Sequence, residues 1–293
     1  MNTAQLQIRQ MSRQELDVIV QWAANEGWNP GVHDADLFWA TDPDGFIAAE
    51  LDGEMIGGGS IVSYEGVCGA MGFFIVHPQF RVRGLGRQLW IARRDRLMQR
   101  LQAPARIELD GVFNMQSFYA KGGFEFLHRD LRFQAIAPTS ASARPQLAKT
   151  DTVVDLSRLA FAEICHYDQS VFLAPRANFL QRWITQPDCH ALGAMAHGRL
   201  VGYAVARACR EGYKIGPLFA NDPAIADELF QALLSRLPNQ QLQIDVPEPN
   251  LAGLEMVKSQ GFTAVFGCAR MALGPPLPRP VPNIFGVTTF ELG

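Results

Sequence analysis

Apolar and polar positions sort this chain into short strands and amphipathic helices, in an order that occurs twice. Phe46 to Leu51 and Met55 to Val62 are strand-like runs flanking Asp52-Gly53, and an Asp-Gly between such runs predicts a tight hairpin. Met71 to Val76 is a further apolar run. It leads through His77-Pro78 and a Gly-containing turn into an amphipathic helix over roughly Leu85 to Leu101. A strand over Ala105 to Leu109, a short helix around Asn114 to Ala120 closed by Gly122-Gly123, and a strand from Phe124 to His128 follow.

The second half repeats this order. Ala191 to Ala196 and Leu200 to Arg207 flank His197-Gly198, Tyr213 to Phe219 is a strand, and Ala224 to Leu237 is a helix. Leu242 to Asp245 is a strand, Asn250 to Ser259 a helix closed by Gly261, and Phe262 to Arg270 a strand. The hairpin turns and the pairs Gly123-Phe124 and Gly261-Phe262 recur at an offset of roughly 140 residues. Between the copies, IAPTSASARPQLAK (Ile136 to Lys149) lacks periodicity and is linker-like. The expected division is a first domain over 1–136, a linker over 137–152 and a second domain over 153–293. Pro275 to Pro282 is a Pro-rich connector to a last strand-like segment, Asn283 to Leu292. The fold class expected is α/β with an α+β-type mixed sheet, built as two copies of one unit.

Composition narrows the setting. With 293 residues, 48% apolar and 19% charged, the chain has enough apolar side chains for two cores and is too apolar to be disordered. Its 26 basic and 29 acidic residues leave a formal charge of −3, which argues against nucleic-acid binding by bulk electrostatics and against a polybasic membrane surface. Five scattered cysteines (Cys68, Cys165, Cys189, Cys209 and Cys268) form no C-x-x-C pair, so a reducing cytoplasm is expected and a disulfide framework is not. The six histidines show no metal-ligand spacing, and no metal is expected. The opening MNTAQLQIRQMSRQELDVIV is too polar for a signal peptide, and the apolar stretch from Val67 to Phe80 is too short to span a bilayer.

The segment that carries chemistry is VHPQFRVRGLGRQL, from Val76 to Leu89: a strand end, a basic glycine turn and a helix start. Gly84 and Gly86 have no side chain to keep phosphate oxygens from the backbone N–H groups. The free amides of the first helical turn favour negative charge, and Arg81, Arg83 and Arg87 add cationic donors. This suits a pyrophosphate. Arg93, Arg94, Arg96 and Arg100, further along the helix, are expected on a solvated face, with one of them within reach of a further phosphate.

A strand followed by Arg81-x-x-Gly84-x-Gly86, with Asn114 and Tyr119-Ala-Lys121-Gly-Gly123-Phe124 downstream, resembles the GNAT N-acetyltransferase superfamily, in a tandem form with a degenerate second copy. The resemblance implies acetyl-CoA as co-substrate, its pyrophosphate on the amides of Arg81, Val82, Arg83, Gly84, Leu85, Gly86 and Arg87, and its pantetheine arm along Phe74, Ile75 and Val76. Asn114, Phe118 and Lys121 would complete the cofactor contacts. It further implies that Tyr119 protonates the departing thiolate; a phenol titrates near pH ~10 and so keeps its proton at neutrality. Two departures from the family pattern stand out. Asn114 lies closer to Tyr119 than the family spacing, and no carboxylate lies on the strand from Gly69 to Val76. Glu108, Asp110 or Glu26 are then the alternatives for a general base, or ordered water serves instead.

Trp22, Glu26, Trp28, Asn29, His33, Asp34, Asp36, Phe38 and Trp39 precede the first hairpin, where the family places the acceptor pocket; aromatic and acidic residues there suit a cationic amine. Tyr167, Asp168 and Arg176, in the loop-like HYDQSVFLAPR, are further pocket candidates. The second copy lacks the arginine-glycine turn, Pro217 and Pro223 remove backbone donors, and Val257 stands where the first copy has Tyr119. It is expected to bind no CoA and to help wall the substrate pocket. The expected activity is direct transfer of acetyl from acetyl-CoA to a small-molecule or peptide amine in the cytoplasm, with no nucleic-acid or membrane partner and the oligomeric state open. The alternative is a non-catalytic acyl-CoA sensor or partner-binding module.

Overall fold

The computed structural model describes residues 6–139 and 152–293. It divides into two compact units, neither continuous in sequence. The first comprises the chain up to Phe126 with Met271–Pro276 and Phe290–Gly293; the second comprises Leu127–Arg270 and Leu277–Thr289. Most of the expected linker, residues 140–151, lies outside the described residues.

In the first unit the chain runs β1 (Leu6–Gln10), α1 (Arg13–Asn25), α2 (Asp34–Thr41), β2 (Phe46–Leu51), β3 (Glu54–Tyr64), β4 (Cys68–Val76), α3 (Leu85–Met98), β5 (Ile107–Val112) and α4 (Gln116–Ala120). Helix α1 starts at a capping box: Glu15 N–H donates to Ser12 Oγ and Ser12 N–H donates to Glu15 Oε2 at 2.7 Å. Its buried stripe, Leu16, Ile19, Val20 and Ala23, has the spacing of one helix face. Strands β1 to β4 pair antiparallel in sequence order. The β2–β3 turn has Asp52 at φ 52° and Gly53 at φ 85°, the left-handed pair that a two-residue hairpin needs. Strand β5 pairs parallel to β4 only from Gly69↔Ile107 to Met71↔Leu109. It begins at Ile107 rather than Ala105, where its pairing with β4 begins.

In the second unit follow β6 (Glu125–Ile136, which starts in the first), β7 (Thr152–Asp155), α5 (Phe161–Phe172), α6 (Ala177–Thr185), β8 (Cys189–Ala196), β9 (Arg199–Ala208), β10 (Tyr213–Ala220), α7 (Pro223–Arg236), β11 (Gln241–Pro247), α8 (Leu251–Ser259), β12 (Thr263–Leu273, which ends in the first) and β13 (Ile284–Gly286). The sheet is mixed here too: β10 pairs parallel with β11 and antiparallel with β9, and β6 pairs antiparallel with β11. One apolar face, including Leu218, Ile244 and Val246, packs on Leu229, Phe230 and Leu233 of α7 and on Val257 of α8. The other face carries a buried ion pair, Arg132 with Asp245 at 2.7 and 2.8 Å.

Two expected elements differ. HYDQSVF is not a loop but the body of α5, whose Ile164, Tyr167, Asp168, Val171 and Phe172 make one buried stripe. The last strand is three residues, Ile284–Gly286. Beyond it the carbonyls of Glu291 and Leu292 accept from the side chains of Ser60 and Tyr64 at 2.8 Å each, so alternation there reflects burial without a sheet ladder.

The Arg9 guanidinium, 2.5 Å from Glu15, pulls that carboxyl down to about 2. A carboxylate depressed in the folded state adds stability above its unfolded pKa and loses it as pH falls through the folded value. Glu15→Gln keeps the capping box and removes the charge. We expect it to cost about 0.5–1 kcal/mol at pH 7, with the difference from wild type shrinking as pH falls through 4.5 towards 2. Urea unfolding across that range measures it; a difference independent of pH would contradict the pairing.

Candidate active site

In the turn between β4 and α3, Val82 and Gly84 adopt positive φ (56° and 77°). Gly84 is the N-cap of α3 and provides no side-chain cap. Among the described residues, the amides of Val82 to Gly86 make no hydrogen bond, whereas Arg87 N–H returns to the Gly84 carbonyl at 3.2 Å. The two glycines serve different ends. A Cβ on Gly84 would meet nothing within 4 Å, so glycine is needed there for its φ; a Cβ on Gly86 would lie 3.2 Å from Val76 and 3.6 Å from Phe74, so glycine lets helix and strand pack closely. Arg81, Arg83 and Arg87 are all exposed. Arg81 Nε donates to the Val76 carbonyl at 2.8 Å, and its Nη2 pairs with Glu26 just beyond α1. The pairing of Glu26 with the turn was not legible in the sequence, because it joins residues far apart in the chain.

Phe74, Ile75 and Val76 lie on β4 past its last residue paired with β5. The β3–β4 register steps from Gly58↔Ile75 to Ser60↔Gly72, so Phe73 and Phe74 bulge opposite Gly59, with Phe73 at φ 48°. The Phe74 ring stacks on Phe118 at 5.9 Å and meets Tyr119 edge-on at 6.4 Å. Tyr119, on α4, is buried beside Trp90 and Phe118. Its ring fills the space above Gly111, where a Cβ would lie 2.4 Å from Cε2. Gly122 is glycine because the Trp90 indole would meet a Cβ at 1.8 Å, and Gly123 because its φ is 92°. The Tyr-x-Lys-Gly-Gly-Phe pattern is thus the packing code of a short helix folded over Trp90.

The remaining predicted residues are scattered in role. Glu108 is buried and Asp110 half-buried on β5, two residues apart and so on the face opposite Gly111 and Tyr119. Asn114 and Lys121 are exposed around α4. Trp28 and His33 are half-buried, and Asn29 is buried. Asp34 is buried and accepts from Gly31 N–H at 2.7 Å, Asp36 pairs with Arg13, Phe38 packs on Phe73, and Trp39 stacks on Phe46. Trp22 lies against His77. Tyr167, on α5, is buried; its hydroxyl lies 2.9 Å from the Val201 carbonyl and 3.0 Å from Asn221 Oδ1, and burial pushes its phenol pKa up. Asp168 is held by Arg176 (2.6 and 2.8 Å) and by the Tyr203 hydroxyl (2.5 Å).

The arginines beyond Arg87 do not form a solvated face. Arg96 donates to the Ile8 carbonyl at 2.7 Å and Arg100 Nη2 to both Asp42 oxygens at 2.7 Å. Arg94 pairs with Asp95 and lies over Trp90, and Arg93 has no exposed surface at all. A signal for Arg93 was present in Gly57-Gly58-Gly59, since glycine within a strand marks the close approach of another group.

The second unit repeats the backbone pairings at the end of its short helix with different side chains. At the end of α4, Phe124 N–H donates to the Tyr119 carbonyl (3.2 Å) and Gly123 N–H to that of Ala120 (3.0 Å); at the end of α8, Phe262 does so to Val257 (3.1 Å) and Gly261 to Lys258 (3.0 Å). Val257 is thereby the counterpart of Tyr119. The start of α7 is closed: the Asp222 carboxylate accepts from Ala224 N–H (2.8 Å) and Ile225 N–H (3.1 Å), with Pro223 in the first turn. Among the described residues, no group of three or more His, Cys, Asp or Glu could hold a metal ion, and no helix is long and apolar enough to cross a membrane.

Comparison with known proteins matches residues 13–124 to the acetyltransferase (GNAT) family and residues 164–286 to an acetyltransferase (GNAT) domain. A holothin acyltransferase from Pseudoalteromonas sp. (strain SANK 73390) is 26% identical over 96% of this chain and 92% of its own. A crystal structure from Pyrococcus horikoshii, of a protein thought to be an acetyltransferase, superposes with TM-score 0.81 at 22% identity, covering 98% of this chain and 96% of the other. A tandem GNAT protein from the clavulanic acid biosynthesis pathway superposes with TM-score 0.65 at 14% identity, covering 93% of this chain and all of the other (100%).

The fit of Gly122 under Trp90 is testable. Gly122→Ala is expected to cost about 1–3 kcal/mol by overpacking, read by chemical denaturation. Unchanged stability would show that the indole has room to move.

Proposed function

Because the chain belongs to the GNAT acetyltransferase superfamily, as two such domains in tandem, we propose that its first domain moves an acetyl group from acetyl-CoA to a primary amine by direct transfer, and that its second domain takes no CoA. One contrast carries this reading: an open, glycine-capped helix start and a buried tyrosine in the first unit, against an Asp222-capped start and Val257 in the second. The acyl transfer in the name of the Pseudoalteromonas relative supports the reaction class.

The free amides of Val82 to Gly86, together with Arg83 and Arg87, would hold the pyrophosphate; the positive end of α3 adds to the attraction. Arg81 is steadied by Glu26 and the Val76 carbonyl, which keeps its charge at the turn. The edge of β4 at Phe74 to Val76 accepts the pantetheine arm and aligns the thioester. The amine attacks the thioester carbonyl carbon: the C–N bond forms, the C–S bond breaks, and the Tyr119 O–H proton passes to the departing sulfur. The proton lost by the amine leaves through Glu108 or Asp110, which share the opposite face of β5, or through water. Glu26, Trp28, Asn29, His33 and Asp34 are the acceptor-side candidates of the first unit. Tyr167 is less suited to that role, since its hydroxyl already has partners within the second unit.

Tyr119→Phe is expected to lower kcat at least tenfold with acetyl-CoA affinity within twofold of wild type. An unchanged kcat, with chemistry shown to be rate-limiting, would remove Tyr119 from the mechanism. Gly84→Leu should fold, since its Cβ meets nothing within 4 Å and left-handed strain costs about 1–2 kcal/mol, yet lose acetyl-CoA binding in calorimetry. Retained binding would count against the phosphate turn. Calorimetry on the wild type should give one acetyl-CoA per chain; a second site would overturn the closed reading of α7. Binding without thiol release on any amine in a panel would favour the sensor.

A further inference from the structure

Helix α3 buries a guanidinium on the face it turns to the sheet. Arg93 has 0% exposure, and a Cβ on Gly59 would lie 2.3 Å from its Cζ, so the glycine is what makes room for it. Its Nη2 donates to the carbonyls of Ser60 and Gly72, both at 2.6 Å. Those carbonyls flank the bulge where Phe73 and Phe74 oppose Gly59. Its Cζ lies 5.4 Å from the centre of the Phe74 ring, which also meets Tyr119. Nε and Nη1 are buried and find no acceptor. Burial pushes its pKa down to about 10, so it stays charged at neutral pH, and Tyr119 is the ionisable group in electrostatic reach that opposes this shift. A cation buried without a counter-ion is costly, and a helix–sheet interface is served as well by an aliphatic side chain.

We propose that Arg93 is a positioning residue of the acyl-transfer site: it braces the β4 bulge through Ser60 and Gly72 and lends a fixed positive charge to the Tyr119 phenol. The inference rests on the reading of Tyr119 as proton donor. When the Tyr119 O–H bond breaks and the S–H bond forms, a phenolate remains across the Phe74 ring from Arg93, within its electrostatic reach, and it regains its proton from water. A fixed cation stabilises that phenolate and makes the phenol a stronger acid. The other charged groups near Tyr119 are placed differently. Arg94 lies over Trp90 at 5.3 Å and pairs with Asp95; Lys121 on the same helix end is exposed; Glu108 and Asp110 of β5 occupy the opposite face; β4 contributes the Phe74 ring.

The test titrates Tyr119 directly. Tyrosinate absorbance, taken as the difference between each protein and its Tyr119→Phe counterpart, isolates one of the five tyrosines. In Arg93→Met the midpoint should rise by about one pH unit, whereas Arg93→Lys should hold it within about a third of a unit of wild type. Gly59→Ala, which expels the guanidinium without replacing it, should reproduce the rise even if Arg93→Met does not fold. The basic limb of kcat should move upward in step, with the KM for acetyl-CoA changing less than threefold. A midpoint unmoved in folded Gly59→Ala, or raised as far by Arg93→Lys as by Arg93→Met, overturns the proposal. Absence of acyl transfer by the wild type would instead overturn the function reading, and the titration would still report whether Arg93 and Tyr119 are coupled.

Discussion

The parallel pairing of β4 with β5 ends at Met71 and Leu109, and the geometry of the first unit's site follows from that short ladder. Past it, among the described residues, β4 pairs with β3 on one side only, and backbone groups left without a ladder must find other partners. The bulge at Phe73 and Phe74 is held from both faces. Arg93 takes the Ser60 and Gly72 carbonyls, while on the opposite face the Ser60 hydroxyl receives Gly72 N–H and donates to the Glu291 carbonyl, each at 2.8 Å. Gly72 is as necessary as Gly59 there, since a Cβ on it would stand 2.2 Å from the Glu291 carbonyl oxygen. Phe74 sits where these constraints meet, against Arg93, Phe118 and Tyr119.

The two units share backbone features and differ in a few side chains. Both close their second short helix with the same carbonyl pairings and a left-handed glycine, and both turn their first hairpin through a left-handed residue followed by glycine. What differs is local. Gly84 leaves the start of α3 open, whereas the Asp222 carboxylate satisfies the start of α7 from within, and a capped helix start has little left to offer an anion. Replacement of a tyrosine by Val257 removes the hydroxyl while the helix geometry persists.

Features set by neighbouring residues were legible from the sequence. The Asp52-Gly53 and His197-Gly198 turns, the strand–turn–helix at Val76 to Leu89 and the Gly-Phe pairs all lie where periodicity and turn chemistry placed them. Errors arose where burial depends on a distant partner. The polar residues of HYDQSVFLAPR resemble those of a loop, yet Asp168 is buried by Arg176 and Tyr203. Of the arginines beyond Arg87, Arg96 meets β1, Arg93 meets β3 and β4, Arg100 meets Asp42, and Arg94 pairs with its neighbour Asp95.

Most of the strands, the internal repeat, the glycine turn and the side-chain differences between its copies are thus legible in the polarity pattern and turn residues, because each is a property of residues close together in the chain. Long-range packing settles that Met271–Pro276 and Phe290–Gly293 belong with the first unit, that Glu26 pairs with Arg81, and that Arg93 lies buried under the bulge against the Phe74 ring, which also meets Tyr119. Those outcomes depend on which strand or helix lies next to which. A side chain's charge does not say whether it will meet water or a carbonyl; the neighbouring backbone does.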